Sequence, residues 1–458
     1  MVSRGDGMAE LRSTRERLAV GLALAGSLVL RLSFFPFVSG DMRGDMIPWS
    51  EFIEREGAWK ALGQEFSNYP PLYLYLLTLA TWLPLPRLFA IKLVYLVFDY
   101  VLAVYVGRIV ESLPGPAAMP RDEGGGGARL LPSRVTVLDK VARPQPRPTG
   151  NDGLWARPTP QRGFWRGALT TLFLPTVLMN SALWGQCDAM YASGLAACVY
   201  YLLGNRAGAA MVAYGLAFSL KPQAVFLAPL ILVLVWQRRF SPLLLYVPVA
   251  VYVLLTLPAC VAGRSFLELV LLYANQRILP FPALTLGATN LYQWLPGVPF
   301  EPFFKAGLAL AVVSAVAFMI ALARRFPDGL GSPVLLQAAL LSLVLMPYLL
   351  PAMHERYFFA ADALAVAYAF TVRRGWMVAA LIQFASAFTY LPYLFHVEPV
   401  PRSVLAAVMG VALGRLIREL FAARTGAVPR PANGQSDACR PEKAEGAALP
   451  APQRPLAT

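Results

Sequence analysis

Residues 12–49 read RSTRERLAVGLALAGSLVLRLSFFPFVSGDMRGDMIPW. A basic segment (12–17) precedes an apolar run from Leu18 to Val38, and two aspartates, Asp41 and Asp45, follow it. At about 1.5 Å per helical residue, the run is long enough to cross a hydrocarbon layer of about 30 Å. A signal-peptide core is about 7–15 residues long and ends at a small-residue cleavage site. This run is longer and has no such site before the acidic loop, so it reads as a retained first membrane helix.

Composition extends that reading to the whole chain. Of 458 residues, 57% are hydrophobic and 14% charged, against about 25% charged in an average soluble domain. The mean hydropathy is +0.53. These values imply a polytopic membrane protein. The formal net charge of +14 would suggest nucleic acid in a soluble chain, but no nucleic-acid motif accompanies it. Basic residues gather instead in short loops between apolar runs, as cytoplasmic loops do, so nucleic acid is excluded as a partner. The cysteines Cys187, Cys198, Cys260 and Cys439 have neither metal nor redox spacing.

Twelve segments read as spans: 18–38, 88–110, 167–183, 189–204, 207–220, 222–236, 242–262, 303–323, 333–351, 357–372, 376–395 and 401–422. The expected fold is an all-α polytopic membrane protein with about 12 (11–13) transmembrane helices. Segment 70–84, PPLYLYLLTLATWLP, is short and opens on two prolines. It either enters the membrane without crossing or makes a thirteenth span. Basic clusters fall at 12–17, 111–166, 237–239, 323–325, 373–374 and in the C-terminal tail. All of these lie on one side if 70–84 does not cross, which predicts both termini in the cytoplasm. The outer face then receives 39–70, 180–188, 218–223, 263–302 and 351–358.

The organisation follows from these segments. Residues 1–17 form a cytoplasmic N-terminus, and 18–110 hold the first helices with the outer loop 39–70. Residues 111–166 carry nine Lys/Arg against five Asp/Glu, with a GGGG run and RPQPRPTG. Such a stretch cannot bury a core and reads as a disordered linker. Residues 167–423 form the helical bundle, and 424–458 a disordered tail. Loop 39–70 has six Asp/Glu against three Lys/Arg, so it lacks the cytoplasmic signature. Its Ile47, Phe52, Ile53 and Trp59 alternate with charges, the pattern of an interfacial amphipathic helix.

Several polar residues interrupt the apolar pattern on that outer side. Asp41 and Asp45 share a face if their stretch is helical, and two like charges there raise one proton affinity; otherwise they are a solvated loop start. Asp188 stands at the start of segment 189–204, as a helix cap or as a second functional acid. Lys221 separates two apolar runs, where insertion at the bilayer centre costs roughly 2.5–3.5 kcal/mol. It either snorkels to the surface or meets an anion. His354, Glu355 and Arg356 end segment 333–351, and the guanidinium fork suits phosphate oxygens; the same cluster also suits interfacial anchoring. Tyr273, Asn275, Gln276, Asn290, Tyr292, Gln293 and Trp294 suit sugar faces and hydroxyls, and equally an aromatic belt. His396 reads as a loop cap.

The order of six motifs carries a resemblance. They are NYPPLYLYL (68–76), IKLVYLVFD (91–99), NSALWGQCDAMY (180–191), GLAFSLKPQAVFLAPL (215–230), NLYQWLP (290–296) and MHERYFFAAD (353–362). Together with the acidic loop after the first helix, they resemble the GT-C glycosyltransferases, in particular the bacterial branch of the GPI-mannosyltransferase-II-like integral membrane family. The resemblance runs over most of 18–400, leaving out 111–166 and the tail.

The resemblance implies a GT-C-type fold in a bacterial inner (plasma) membrane, with the active site on the outer face. It implies an inverting transfer of a sugar, mannose by family expectation, from a polyprenyl-phosphate donor to a hydroxyl of a lipid or glycan acceptor. Asp41, eight residues before Trp49, would be the catalytic base; Asp45 departs from the family pattern, and Asp188 falls where relatives have a second acid. Lys221, His354 and Arg356 would bind the donor phosphate. Tyr69, Trp184, Gln186, Gln276, Asn290 and Tyr292 would bind substrate. No cofactor or metal is expected, and no Gly-rich nucleotide loop is present. A transporter and a noncatalytic binder of lipid-linked glycan are the alternative readings of the same residues.

Overall fold

The computed structural model describes residues 4–115, 160–275 and 282–422. The tail 424–458, most of the linker 111–166, and Gln276 lie outside the described residues. The linker's two ends are helical, since they belong to Arg87–Ser112 and Pro160–Leu172. The regular secondary structure of the described residues is helical apart from a two-stranded parallel pair, Thr285–Leu286 with Met353–His354.

Six helices are long and apolar enough to cross a membrane: Thr14–Phe34, Arg87–Ser112, Pro242–Val261, Phe300–Arg325, Ser332–Leu349 and Gly375–Phe395. A seventh span is formed if Arg162–Leu172 and Pro175–Trp184, bent by 53° at their break, count as one. The expected count of about 12 is not reached on these criteria. Segments 189–204, 207–220 and 357–372 fold as Asp188–Leu203, Ala207–Phe218 and Phe359–Thr371, of 16, 12 and 13 residues. Segment 222–236 splits into a 3₁₀ turn, Pro222–Leu227, and the helix Ala228–Trp236. Each is shorter than the roughly 20 residues of an ordinary span. Arg402–Ala422 has the length but carries Arg402, Arg415, Arg418 and Glu419. The apolar helix Pro71–Thr81 has 11 residues, about 16 Å of helix, or half the hydrocarbon thickness.

Proline sets the breaks. The first helix ends at Phe34, just before Pro36, because proline disfavours helical conformation in the residue before it. Pro175 opens the bent half of the seventh span, where its missing N–H costs nothing.

Helix Arg87–Ser112 is central, packing against Pro160–Leu172, Asp188–Leu203 and Phe359–Thr371. Its buried Asp99 accepts from Arg31 Nε at 2.9 Å and from Ser181 Oγ at 2.5 Å. Arg31 also donates to Ser27 Oγ at 2.6 Å and to the Leu172 carbonyl at 2.8 Å. One buried ion pair therefore ties the first helix to two others.

The acidic loop and the basic loops lie at opposite ends of the bundle. Helices Arg4–Phe34, Ala207–Phe218, Ser332–Leu349 and Gly375–Phe395 end where Arg87–Ser112, Asp188–Leu203 and Phe359–Thr371 begin, and the acidic loop, residues 184–188, Lys221 and 353–356 meet there. At the other end Arg239 donates to Asn205 at 2.7 Å and to the Leu330 carbonyl at 2.8 Å. Arg162 pairs with Glu16 at that end as well.

The acidic loop forms a π-helical turn, Met42–Met46, then a helix, Ile47–Glu56. That helix is amphipathic as expected: Ile53 is buried, and Arg87 reaches up to Glu51 and Glu54 on its exposed side. Phe52 stacks on Phe66 with centroids 4.5 Å apart, while Trp59 is exposed.

Candidate active site

Two π-helical turns face each other at the acidic-loop end of the bundle, Met42–Met46 and Leu178–Trp184. The wider π turn occurs mostly as a single-turn insertion in α-helices, frequently at functional sites. Ser39 joins the two: its hydroxyl donates to the Trp184 carbonyl at 2.6 Å and accepts from the Met42 amide at 3.1 Å.

Asp41 lies between them. Its Oδ2 accepts from Trp184 Nε1 at 3.0 Å and from Gln186 Nε2, and its Oδ1 accepts from the Tyr393 hydroxyl at 2.5 Å. Two glycines make the approach possible. A side chain at Gly40 would meet the Tyr393 hydroxyl at 2.8 Å, and one at Gly185 would meet Met42 Sδ at 2.5 Å. Gly185 has φ of +75°, the left-handed region, and its turn lets Trp184 and Gln186 aim at one carboxylate.

Arg356 reaches the same group from the 353–356 loop. Its NH1 is 3.6 Å from Asp41 Oδ2 and 3.7 Å from Glu355 Oε1, and its Nε is 3.6 Å from Asp188 Oδ2. Nε is buried and makes no hydrogen bond. The guanidinium also lies over the Trp184 ring, 5.4 Å from its centroid. Burial pushes the Asp41 carboxyl up, but the Arg356 charge and the three hydrogen bonds outweigh it and hold the group below its usual range. Asp45 is shifted the other way. Burial and the negative charge of Asp41 push it up, with Arg356 opposing. The two carboxylates are thus unequal.

Asp188 is the first residue of its helix and not its N-cap, a position held by Cys187. Its Oδ1 accepts from Lys221 Nζ at 2.5 Å and its Oδ2 from Asn180 Nδ2 at 2.8 Å. Lys221 is buried, with side-chain exposure of 5%, so it does not snorkel. Its ammonium also stands over the Tyr69 ring, 5.4 Å from the centroid. Burial lowers the proton affinity of Lys221, but Asp188 overrides that and keeps it charged.

Two cavities adjoin here, of about 730 and about 1170 Å³. The smaller is lined by Lys221, Gln223, Tyr273 and Tyr357, the larger by Asp41, Asp45, Gln186, Glu355 and Tyr393. Trp49, Asn68, Tyr69, His354 and Arg356 line both and form the common wall. A carboxylate able to take a proton opens on one chamber, and cations able to hold an anion on the other.

Asp41, Asp45, Asp188, Lys221, His354, Arg356, Tyr69, Trp184 and Gln186 are therefore brought together. Asn290 and Tyr292 are not. Asn290 is buried and donates to the Leu350 carbonyl, and the Tyr292 hydroxyl donates to the Leu349 carbonyl at 2.7 Å. They brace the end of helix Ser332–Leu349, which carries the 353–356 loop. His396 closes helix Gly375–Phe395 at φ of +57° and lines the larger cavity. Sequence reasoning missed Tyr393, Asn180 and Lys92. Tyr393 lies in an aromatic run with nothing to single it out, whereas Lys92, like Asp99 seven residues on, is a charge inside an apolar helix, a signal in itself. Among the described residues, no three His, Cys, Asp or Glu side chains converge as metal ligands.

No family model matches the chain, and no curated protein matches it.

Proposed function

We propose that this chain is a membrane glycosyltransferase of the GT-C kind, moving a sugar from a polyprenyl-phosphate donor to an acceptor hydroxyl, with inversion. The observation that carries the reading is the pair of adjoining cavities, one with Asp41 and one with Lys221, sharing Arg356 in their wall. The acceptor occupies the larger chamber, and the donor phosphate lies against Arg356, His354 and Lys221. The acceptor oxygen attacks the anomeric carbon, the carbon–oxygen bond to phosphate breaks, and that electron pair leaves with the phosphate. Asp41 takes the hydroxyl proton, a role worth about 10²–10⁴-fold in rate. Arg356 holds the charge that grows on the phosphate. Lys221 is matched at hydrogen-bond distance by Asp188, whereas Arg356 stands 3.6–3.7 Å from its carboxylates and its Nε makes no hydrogen bond, which leaves a guanidinium donor for phosphate.

Mannose is the sugar the family resemblance favours. The acceptor is a lipid or glycan hydroxyl, and the functional end faces outward, since the basic loops gather at the opposite end. Both termini are then cytoplasmic, in the inner membrane of a bacterium. Purified protein incubated with polyprenyl-phosphate mannose and a membrane lipid extract tests the reading. Mass analysis is expected to show a product heavier by one hexose, and no product with any lipid-phosphate sugar sinks it.

A further inference from the structure

Lys92 lies one turn into helix Arg87–Ser112 and is fully buried. Among the described residues it forms no ion pair. Its ammonium donates instead to four backbone carbonyls: Phe37 at 2.7 Å, Ala182 at 2.9 Å, Leu183 at 3.0 Å and Phe34 at 3.3 Å. All four neighbours are acceptors, and since an ammonium has three donors, two of the four carbonyls share one proton, the Phe34 carbonyl being the farthest.

The carbonyls belong to two chain segments. Phe34 ends the first helix, and Phe37 lies in the turn that leads to Ser39 and Asp41. Ala182 and Leu183 belong to the last turn of the π-helix that leads to Trp184, Gly185 and Gln186. Both segments are helix C-terminal ends, where unpaired carbonyls concentrate negative potential and attract a cation. The lysine stem runs directly under the turn: a side chain at Gly185 would meet Lys92 Cε at 3.4 Å.

We infer that Lys92 is the positioning residue of the Asp41 site, a cation that binds two helix ends together and so sets the carboxylate against Trp184 and Gln186. One arm carries the acceptor of those hydrogen bonds and the other carries the donors. Without the ammonium, four carbonyls converge on a space with no donor, and the arms part. The effect on catalysis rests on the reading of Asp41 as the base; the geometric claim does not.

The chain has nine tryptophans, so 5-fluorotryptophan labelling and ¹⁹F NMR in detergent give nine signals, with Trp184 assigned by W184F. In D41N the Trp184 signal marks the loss of its carboxylate acceptor. In K92M that signal is expected to move the same way while the other eight stay in place, and K92R is expected to return it most of the way. The transfer kcat in K92M should fall by about 100-fold, the scale of an ångström of misplacement, with the donor KM within about twofold. If K92M alone loses its fold, K92Q, whose amide reaches part of the carbonyl set, is read the same way. An unmoved Trp184 signal overturns the proposal. So does a shift of all nine that K92R fails to reverse, which makes Lys92 a folding residue only. A shifted Trp184 signal in a protein without transferase activity keeps the positioning role and removes the transferase reading instead.

Discussion

The Tyr393 hydroxyl accepts from the Asp41 amide at 3.0 Å and donates to the Asp41 carboxylate at 2.5 Å. One phenol thus fixes both the backbone and the side chain of the candidate base. Hydrogen bonds to charged groups contribute about 1.5–3 kcal/mol. Y393F removes this one, and the predicted loss is about 10- to 100-fold in kcat, with the protein still folded. Steady-state rates checked beside thermal unfolding in detergent test this; a rate within twofold of the parent contradicts it.

The unequal carboxylates predict a pH dependence. Asp41 is held low by Arg356 and its three hydrogen bonds despite burial. Transfer that needs ionised Asp41 therefore persists below the usual carboxylate range. Removing the guanidinium raises Asp41, so the acid limb of kcat/KM moves to higher pH in R356Q. Asp45 is raised and takes its proton first on acidification. Losing a negative neighbour cannot raise Asp41, so D45N leaves the limb in place or moves it lower. An upward shift in D45N contradicts the assignment of roles.

Lys221 and Asp188 are a buried pair, with 5% and 1% side-chain exposure. Removing one partner of such a pair costs about 3–5 kcal/mol, because a buried charge is left uncompensated. K221M alone should destabilise by about that amount. K221M combined with D188N should recover more than half, as the charge is removed from both sides. Thermal unfolding of the four proteins in the cycle measures the coupling; additive losses contradict it.

Arg31 and Asp99 make the same argument away from the cavities. D99N leaves Arg31 buried without its anion, and a loss of about 3–5 kcal/mol is expected. Ser181 donates to Asp99 and lies in the π turn behind Trp184, so transfer should weaken as well. Unchanged stability in D99N contradicts a structural role for the pair.

Much of this arrangement is legible in the sequence because polar residues at the membrane's edge interrupt apolar runs. Asp41, Asp188, Lys221 and Arg356 each stand at such an interruption. Their partners are harder to read. Tyr393 is one aromatic residue in the run FTYLPYLF (388–395), and only folding brings its hydroxyl to Asp41; Trp184 stands out only through the resemblance. Lys92 and Asp99 are single charges within one apolar helix whose partners lie far along the chain. The helix count was less legible than the site. Hydropathy marks an apolar segment, but it does not give the length of the helix inside it: 189–204 and 207–220 hold helices of 16 and 12 residues, Asp188–Leu203 and Ala207–Phe218. The spacing that suggested an α-helical face for Asp41 and Asp45 instead folds as a π turn.

The most direct test is the transfer rate of D41N. Asn keeps the size of the side chain and removes its basicity. The account predicts that D41N still binds the polyprenyl-phosphate sugar with parental affinity while its transfer rate falls by about 10²–10⁴-fold. A D41N protein that transfers sugar at the parental rate would show that Asp41 is not the base.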